Sequence, residues 1–373
     1  LGEVLLDQRV PNTPPDVAEF LSHLQALGGA RTVGVDVLGG IASLLCAMLL
    51  EAGERLVHVP GRAVNRGREG TTGGENKSDP RDARVIADHV RTRQELRPVE
   101  PEDAASVELR LLVSRRRELV KDQTRRLARL RELLVSIHPG LEHRLDVTNK
   151  GDLFLLTRYV TPGEIRTAGL ARLSRFLRTC KNLRKPEALA ARALEAAREQ
   201  TFALPGERLT AQFCRELAED GLKARERLAS IDRQLEELVR AHPNGTLILS
   251  LPGMGVLLTA EFLVEAGSLS RFRSADALAA AAGLAPVLRQ SGKVRYNRRP
   301  PGGNKALKRV FYQSAFCSLS QPDSRAFYDR KRREGKRHHQ AVIALARRRL
   351  NVLWAMLRDR RPYELRHPKA MAA

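Results

Sequence analysis

The sequence predicts an α/β domain followed by a long, mostly helical chain. Three observations carry this. Strand-like and helix-like segments alternate over residues 1–100. Leucines recur at three- and four-residue spacing between charged residues further on. Aromatic residues make up only 4% of a composition that is 42% hydrophobic, so the cores must be built from Leu, Ala and Val. Leu and Ala are strong helix formers. At ~100–200 residues per domain, a chain of 373 residues predicts two or three domains. We place them at 1–100, 101–245 and 246–373.

In the first domain, Glu3–Arg9 and Thr32–Val37 read as strands. The second runs into Gly39–Gly40 and then an apolar helix from Ile41 to Leu50. Glu54–Pro60 is another strand. A polar, Gly-rich loop from Gly67 to Ser78 leads to a helix starting at Asp79 or Pro80. Alternating strands and helices of this kind form a mostly parallel sheet. From Glu102 to His242 the chain reads as helix. Leu127, Leu130 and Leu134, and again Leu228, Ile231, Leu235 and Leu238, are spaced three and four apart. That spacing suits two long helices that pair as an antiparallel coiled coil, dimerise between chains, or pack as ordinary amphipathic helices. Between them lie shorter helices and the basic run Arg178–Lys185. The third domain holds LPGMG, an Ala-rich helix, a basic loop and an Arg-rich final helix.

The formal net charge is +22. A balance this basic points to a polyanionic partner, because each phosphate contact releases condensed counterions. Arg outnumbers Lys, which suits bidentate contact with phosphate and guanine and also follows from GC-rich codon use. Cys46, Cys180, Cys214 and Cys317 form no C-x-x-C pair, so neither a zinc ribbon nor a disulfide framework is indicated. No apolar run approaches the ~20 residues of a membrane span, and no signal-peptide pattern is seen. A cytoplasmic protein is expected.

Several constellations suit chemistry. Asp79 and Asp82 lie three apart at a helix start, where both carboxylates reach one side and suit Mg²⁺. The same residues also suit plain capping, with Asp79 as N-cap, Pro80 at the first helical position and Asp82 in the first turn. Asp36, at a strand end, stands where sites form in open α/β sheets. Three carboxylates around metal make a phosphoryl-transfer site. In LPGMG, Pro252, Gly253 and Gly255 read as a tight turn between helices, as in helix-hairpin-helix DNA binders or in a plain helical hairpin. Gly283–Phe311 is a basic, broken loop in which Arg289, Lys293, Arg295, Arg298, Arg299, Lys305, Lys308 and Arg309 crowd around Ser291. A serine among cations can attack a phosphodiester, whereas Ser-Gly alone is commonly a turn. His338 and His339 read as solvated or phosphate-facing rather than as metal ligands.

Taken in order, GVD with GG, KSDPRDA, LPGMG, GLAP-x₄-SG, GNK-x-L, a terminal YDRK, ARRRL and WAML span nearly the whole chain. The combination resembles the DEDD transposases of insertion sequences, the group that includes pilin-gene invertases and bridge-RNA-guided recombinases. The resemblance implies a RuvC-like (RNase H-like) N-terminal domain, a coiled-coil middle and a C-terminal transposase domain. It implies Mg²⁺ on Asp36, Asp79 and Asp82, and a covalent phosphoserine link through Ser291. The tight turn and the basic loop place DNA on Pro252, Gly253, Gly255, Arg289, Lys293, Arg295, Asn304 and Lys305, and the resemblance implies that some members use a bridge RNA as guide. A homodimer or homotetramer follows if the acids and the serine meet between subunits. Two departures stand out. The family's second acid is commonly Glu, where this chain has Asp36. Its first catalytic Asp stands on an opening strand upstream of a segment like GEVLLDQRVPNTP, where this sequence begins. Asp7 does not match that motif, which leaves a fragment or decayed copy as an open alternative.

The expected function is therefore a DNA transposase or site-specific recombinase. The alternatives are a resolvase-type metal-dependent nuclease, which leaves LPGMG and the Ser-Gly block unexplained, and a catalytically inactive nucleic-acid-binding remnant.

Overall fold

The computed structural model describes residues 3–70, 76–93, 96, 98–101, 103–292, 294–298, 300 and 302–364. The chain forms two compact units, Leu1–Asp103 and Ala104–Ala373.

The first unit contains α1 (Pro14–Ala26), β1 (Thr32–Val35), α2 (Ser43–Glu51), β2 (Arg55–His58), α3 (Gly61–Glu69) and α4 (Asp79–Thr92). Strands β1 and β2 pair in parallel from Thr32 with Arg55 to Val35 with His58. Helix α2 makes the crossover that a parallel pair requires. At the start of both strands Arg31 grips Glu54, with Nη2 at 2.8 Å from Oε1. Val17, Leu21, Cys46, Leu49 and Leu56 form the core. Residues Glu3–Arg9 are not a strand. Val4, Leu5 and Leu6 are exposed there, and β1 and β2 are the only paired strands among this unit's described residues. The alternating pattern lacks a neighbour to supply its hydrogen bonds. The helix after the Gly-rich loop begins one residue earlier than capping by Asp79 requires: Ser78 is the N-cap and Asp79 is already helical.

The second unit is built on α5 (Ala104–Ile137) and α10 (Glu207–Ala241). They run antiparallel: Arg116 pairs with Asp232, and the Gln123 side chain donates to Gly221 O at 3.2 Å. Between them the chain forms α6 (Pro139–Arg144), α7 (Lys150–Leu156), α8 (Pro162–Arg178) and α9 (Pro186–Glu199). Thr161 and Glu164 start α8 as a reciprocal capping box. Helices α6–α9 form a distal core with Leu130 and Leu134 of α5 and Ala211, Cys214 and Ala218 of α10. The other ends of α5 and α10 enter a second core through Leu109, Val113, Ile231 and Leu235. Its remaining walls come from α11 (Gly245–Leu249), α12 (Val256–Ala266), α13 (Ala275–Ala281), α14 (Lys305–Cys317) and α16 (His338–Asp359). Helix α15 (Pro322–Arg333) packs on α16. The leucine spacing thus lines contacts within one chain. No helix among the described residues is long and apolar enough to cross a membrane.

Candidate nucleic-acid interface

The basic loop is a β-hairpin. Strands β3 (Val287–Ser291) and β4 (Val294–Arg298) pair antiparallel, with Ser291 opposite Val294 at the tip. Alternating β-branched, long and aromatic residues suit such a ribbon. Gly292, with φ +55°, begins the two-residue connection. Lys293, Arg299 and the side chain of Asn297 lie outside the described set. Every described side chain of β3 and β4 is exposed. A ribbon with so little buried surface is not stable alone, and its position is fixed at the base. There Gly283 and Gly303 cross backbone to backbone: a Cβ on Gly303, whose φ is +101°, would lie 2.8 Å from both Cα and N of Gly283. Asn304 N–H also donates to Ala281 O at 2.6 Å.

Beside this base lies a part-buried polar network around buried Glu261 that the sequence did not announce. Asn304 Oδ1 caps α14 by accepting from Ala306 N and Leu307 N, while its Nδ2 donates to Glu265 at 2.8 Å. Glu265 accepts from Arg117 at 3.1 Å, and Arg117 also reaches Glu261 at 3.3 Å. Arg309 approaches the second oxygen of Glu261 as an ion pair without hydrogen-bond alignment. Glu261 is 2% exposed. Two acids four apart in the otherwise apolar run LLTAEFLVEA were the available signal. Arg309 therefore belongs to this network and not to the cations around Ser291. Asn304 uses its side chain to hold α14. Lys305 is exposed in the first turn of α14, where its charge adds to the positive end of the helix dipole instead of offsetting it.

LPGMG forms the turn between α11 and α12. Gly253, at φ +80°, packs against α14, where a Cβ would lie 2.6 Å from Ser314 O. The Pro252 carbonyl accepts from Arg349, a buried guanidinium that also donates to Ser314 Oγ at 2.9 Å. Burial without a carboxylate lowers the Arg349 pKa to about 10. Of the three turn residues, Gly255 alone is open, with nothing within 4 Å of an added Cβ. His338 and His339 begin α16, with their Nδ1 atoms 2.8 and 2.9 Å from the hydroxyls of Tyr328 and Tyr312.

In the first unit, Asp36 follows β1 and is exposed, and its carbonyl accepts from His58 Nε2 at 3.2 Å. Asp79 and Asp82 stand in the first turn of α4. Helix α4 can lie on the sheet because Gly34 has no side chain: a Cβ there would meet Val90 Cγ2 at 2.5 Å. Asp79 is exposed. Asp82 is half-buried and ion-paired with Arg68. Among the described residues no three His, Cys, Asp or Glu side chains gather as metal ligands. The carboxylates as placed do not make a Mg²⁺ ligand set.

Two family models match the sequence. One, described as Transposase and built on DEDD proteins of IS110 elements, covers residues 1–139. The other, described as Transposase IS116/IS110/IS902 family, covers residues 245–329. A 42 kDa protein of insertion element IS900 from Mycobacterium paratuberculosis is 44% identical over 99% of this chain and 93% of its own length. The chain belongs to the IS110 family of insertion-sequence transposases. A 44.8 kDa protein of IS116 from Streptomyces clavuligerus is 41% identical to the transposase over all of this chain and 93% of its own. The pilin gene-inverting protein of Moraxella bovis shares 31% identity over 37% of this chain and 46% of its own. The three aspartates of the transposase fall inside the first match, and LPGMG and the Ser291 hairpin inside the second.

Proposed function

We propose that this transposase cuts and joins DNA through a covalent bond between Ser291 and a DNA phosphate. One observation carries this reading: Ser291 sits at the tip of an exposed, basic hairpin whose base is fixed by a glycine–glycine crossing. A nucleophile for a polymer needs access on several sides, and surrounding guanidinium groups stabilise the charge that develops on phosphate oxygens. The reaction is a transesterification. The Ser291 Oγ–P bond forms, a P–O bond to deoxyribose breaks, and the serine proton ends on the leaving oxygen. DNA at this hairpin also contacts Arg289, Lys293 and Lys305, with Gly255 presenting the open end of α12. The first unit is read as RuvC-like.

The +22 charge leaves room for a second polyanion, read as a guide RNA from the element's own end; a dimer or tetramer is read from the family resemblance. The family resemblance implies Mg²⁺ on Asp36, Asp79 and Asp82, but these carboxylates as placed, with Asp82 paired to Arg68, do not fit it, and the transesterification is written without a metal.

The test is a denaturing gel of the transposase with labelled DNA spanning the element's end and RNA transcribed from the same flank. Ser291→Ala should keep DNA binding and lose every covalent adduct. Adducts that persist in the variant place the nucleophile elsewhere.

A further inference from the structure

The hairpin's register divides the cations of the loop into two sets. In an antiparallel ribbon, residues directly opposite share a face, and successive residues alternate. The pairs Val287–Arg298, Arg289–Tyr296 and Ser291–Val294 occupy one face. Leu288 and the pair Gln290–Arg295 occupy the other. The sequence shows Arg289, Arg295 and Arg298 as equal neighbours of Ser291. The fold puts Arg289 and Arg298 on its side and Arg295 behind. Among the described residues none of these three guanidinium groups has a carboxylate partner, so all are open to an anion.

We infer that Arg289 and Arg298 form a graded phosphate clamp on the serine face, and that Arg295 is not part of it. This rests on Ser291 being the nucleophile. Arg289 is two residues from Ser291, about 7 Å along the strand at ~3.4 Å per residue. An extended arginine bridges that span, so its guanidinium meets the phosphate that Ser291 attacks. Its planar fork pairs with two phosphate oxygens at once. Arg298, opposite Val287, is four residues from Ser291 along the ribbon, about 14 Å away. It meets a phosphate further along the same strand, one that does not react. Tyr296 lies directly across from Arg289 and is 57% exposed, offering a ring face for a base or for the guanidinium itself. The two arginines therefore act at different stages. Arg289 holds oxygens whose charge rises in the transition state, and Arg298 holds DNA in the ground state.

The test compares Arg289→Ala, Arg298→Ala, Arg295→Ala and Ser291→Ala in the full chain, with the labelled end DNA and flank RNA described above. At saturating DNA, Arg289→Ala should slow adduct formation about 100-fold or more, the usual loss for one oxyanion donor. Arg298→Ala should need more DNA for half-saturation but reach the wild-type rate. Arg295→Ala should stay within about threefold in both, as expected of a residue that touches neither phosphate. An Arg295 variant as impaired as Arg289→Ala overturns the clamp, and so does an unimpaired Arg289 variant. Adducts in Ser291→Ala would instead overturn the nucleophile on which the clamp rests. A binding arm reads the same division without covalent chemistry. In anisotropy titrations across salt concentration, Arg289→Ala and Arg298→Ala should each lower the slope of log affinity against log salt by about one, and Arg295→Ala should not. Equal slopes for all three variants refute the two-face assignment.

Discussion

Gly303→Ala should be among the more damaging single-methyl additions in the second unit, and the structure allows its cost to be estimated. Gly303 has a φ of +101°, beyond the left-handed well that L-residues tolerate. Holding a side chain in such a region costs on the order of 1–3 kcal/mol. The new Cβ would also lie 2.8 Å from Cα and N of Gly283 and 3.1 Å from Ala281 O. These are backbone atoms next to buried Ala282 and Leu284, so they cannot swing aside like the end of a side chain. Strain and overlap together should reach about 3 kcal/mol, at the upper end of what overpacking costs. Gly292→Ala is the matched control. It too has positive φ, +55°, but nothing lies within 4 Å of its Cβ, and its cost should be about 1 kcal/mol. Urea unfolding followed by helical circular dichroism gives both values, and limited proteolysis at the hairpin reports whether its base has opened. If Gly303→Ala is no less stable than Gly292→Ala, the crossing does not anchor the hairpin and Ser291 is not rigidly presented.

Three further outcomes follow from the buried groups. Burial holds the His138 imidazole below its ordinary pKa of 6.5. Below that pH the unfolded chain binds the proton first, so the stability His138 gives above pH 6.5 is lost as pH falls toward its folded value. Melting temperatures from pH 8 to pH 5 should drop more steeply in wild type than in His138→Gln, and parallel curves would exclude the linkage. Glu261→Gln should cost about 2 kcal/mol, below the 3–5 of a fully buried broken pair because Arg117 and Arg309 remain partly reachable by water; a neutral result in urea unfolding would show that the network is not structural. Burial pushes the Cys214 thiol up to about 11, while Cys317 is exposed. Iodoacetamide at pH 8 followed by peptide mapping should find Cys317 alkylated first, and early labelling of Cys214 would contradict its burial.

Much of the fold was legible because it rests on local pattern. The leucine spacing located α5 and α10, and alternation with flanking glycines located β1, α2 and β2 within a few residues. What was illegible depended on neighbours distant in sequence. Glu3–Arg9 alternates like a strand, but pairing is not a property of one segment. Glycine has the same letter at each position, yet Gly253 is used for packing against α14, Gly255 is open, and Gly303 makes a backbone crossing with Gly283. The cations of the loop could be counted but not sorted, since only the β3–β4 register separates Arg295 from Arg289, and only the fold withdraws Arg309 to Glu261. The three aspartates stand out by position in the sequence, but their failure to gather, and the Arg68 partner of Asp82 from the preceding helix, could not be read there.

The pairing of α5 with α10 also makes the second unit adjustable in length. Each helix spans about 50 Å at 1.5 Å per residue, and each has one end in either core. Where the two cores meet, the contact is Gln123 on Gly221, a polar step between apolar stretches. Taking seven residues from both helices around that step would remove two turns, about 10 Å, while keeping the same faces in contact. The helix pair is thus a ruler whose graduation is the heptad: it fixes how far the Ser291 hairpin stands from the distal core, and matched seven-residue deletions would reset that distance without redesigning either end.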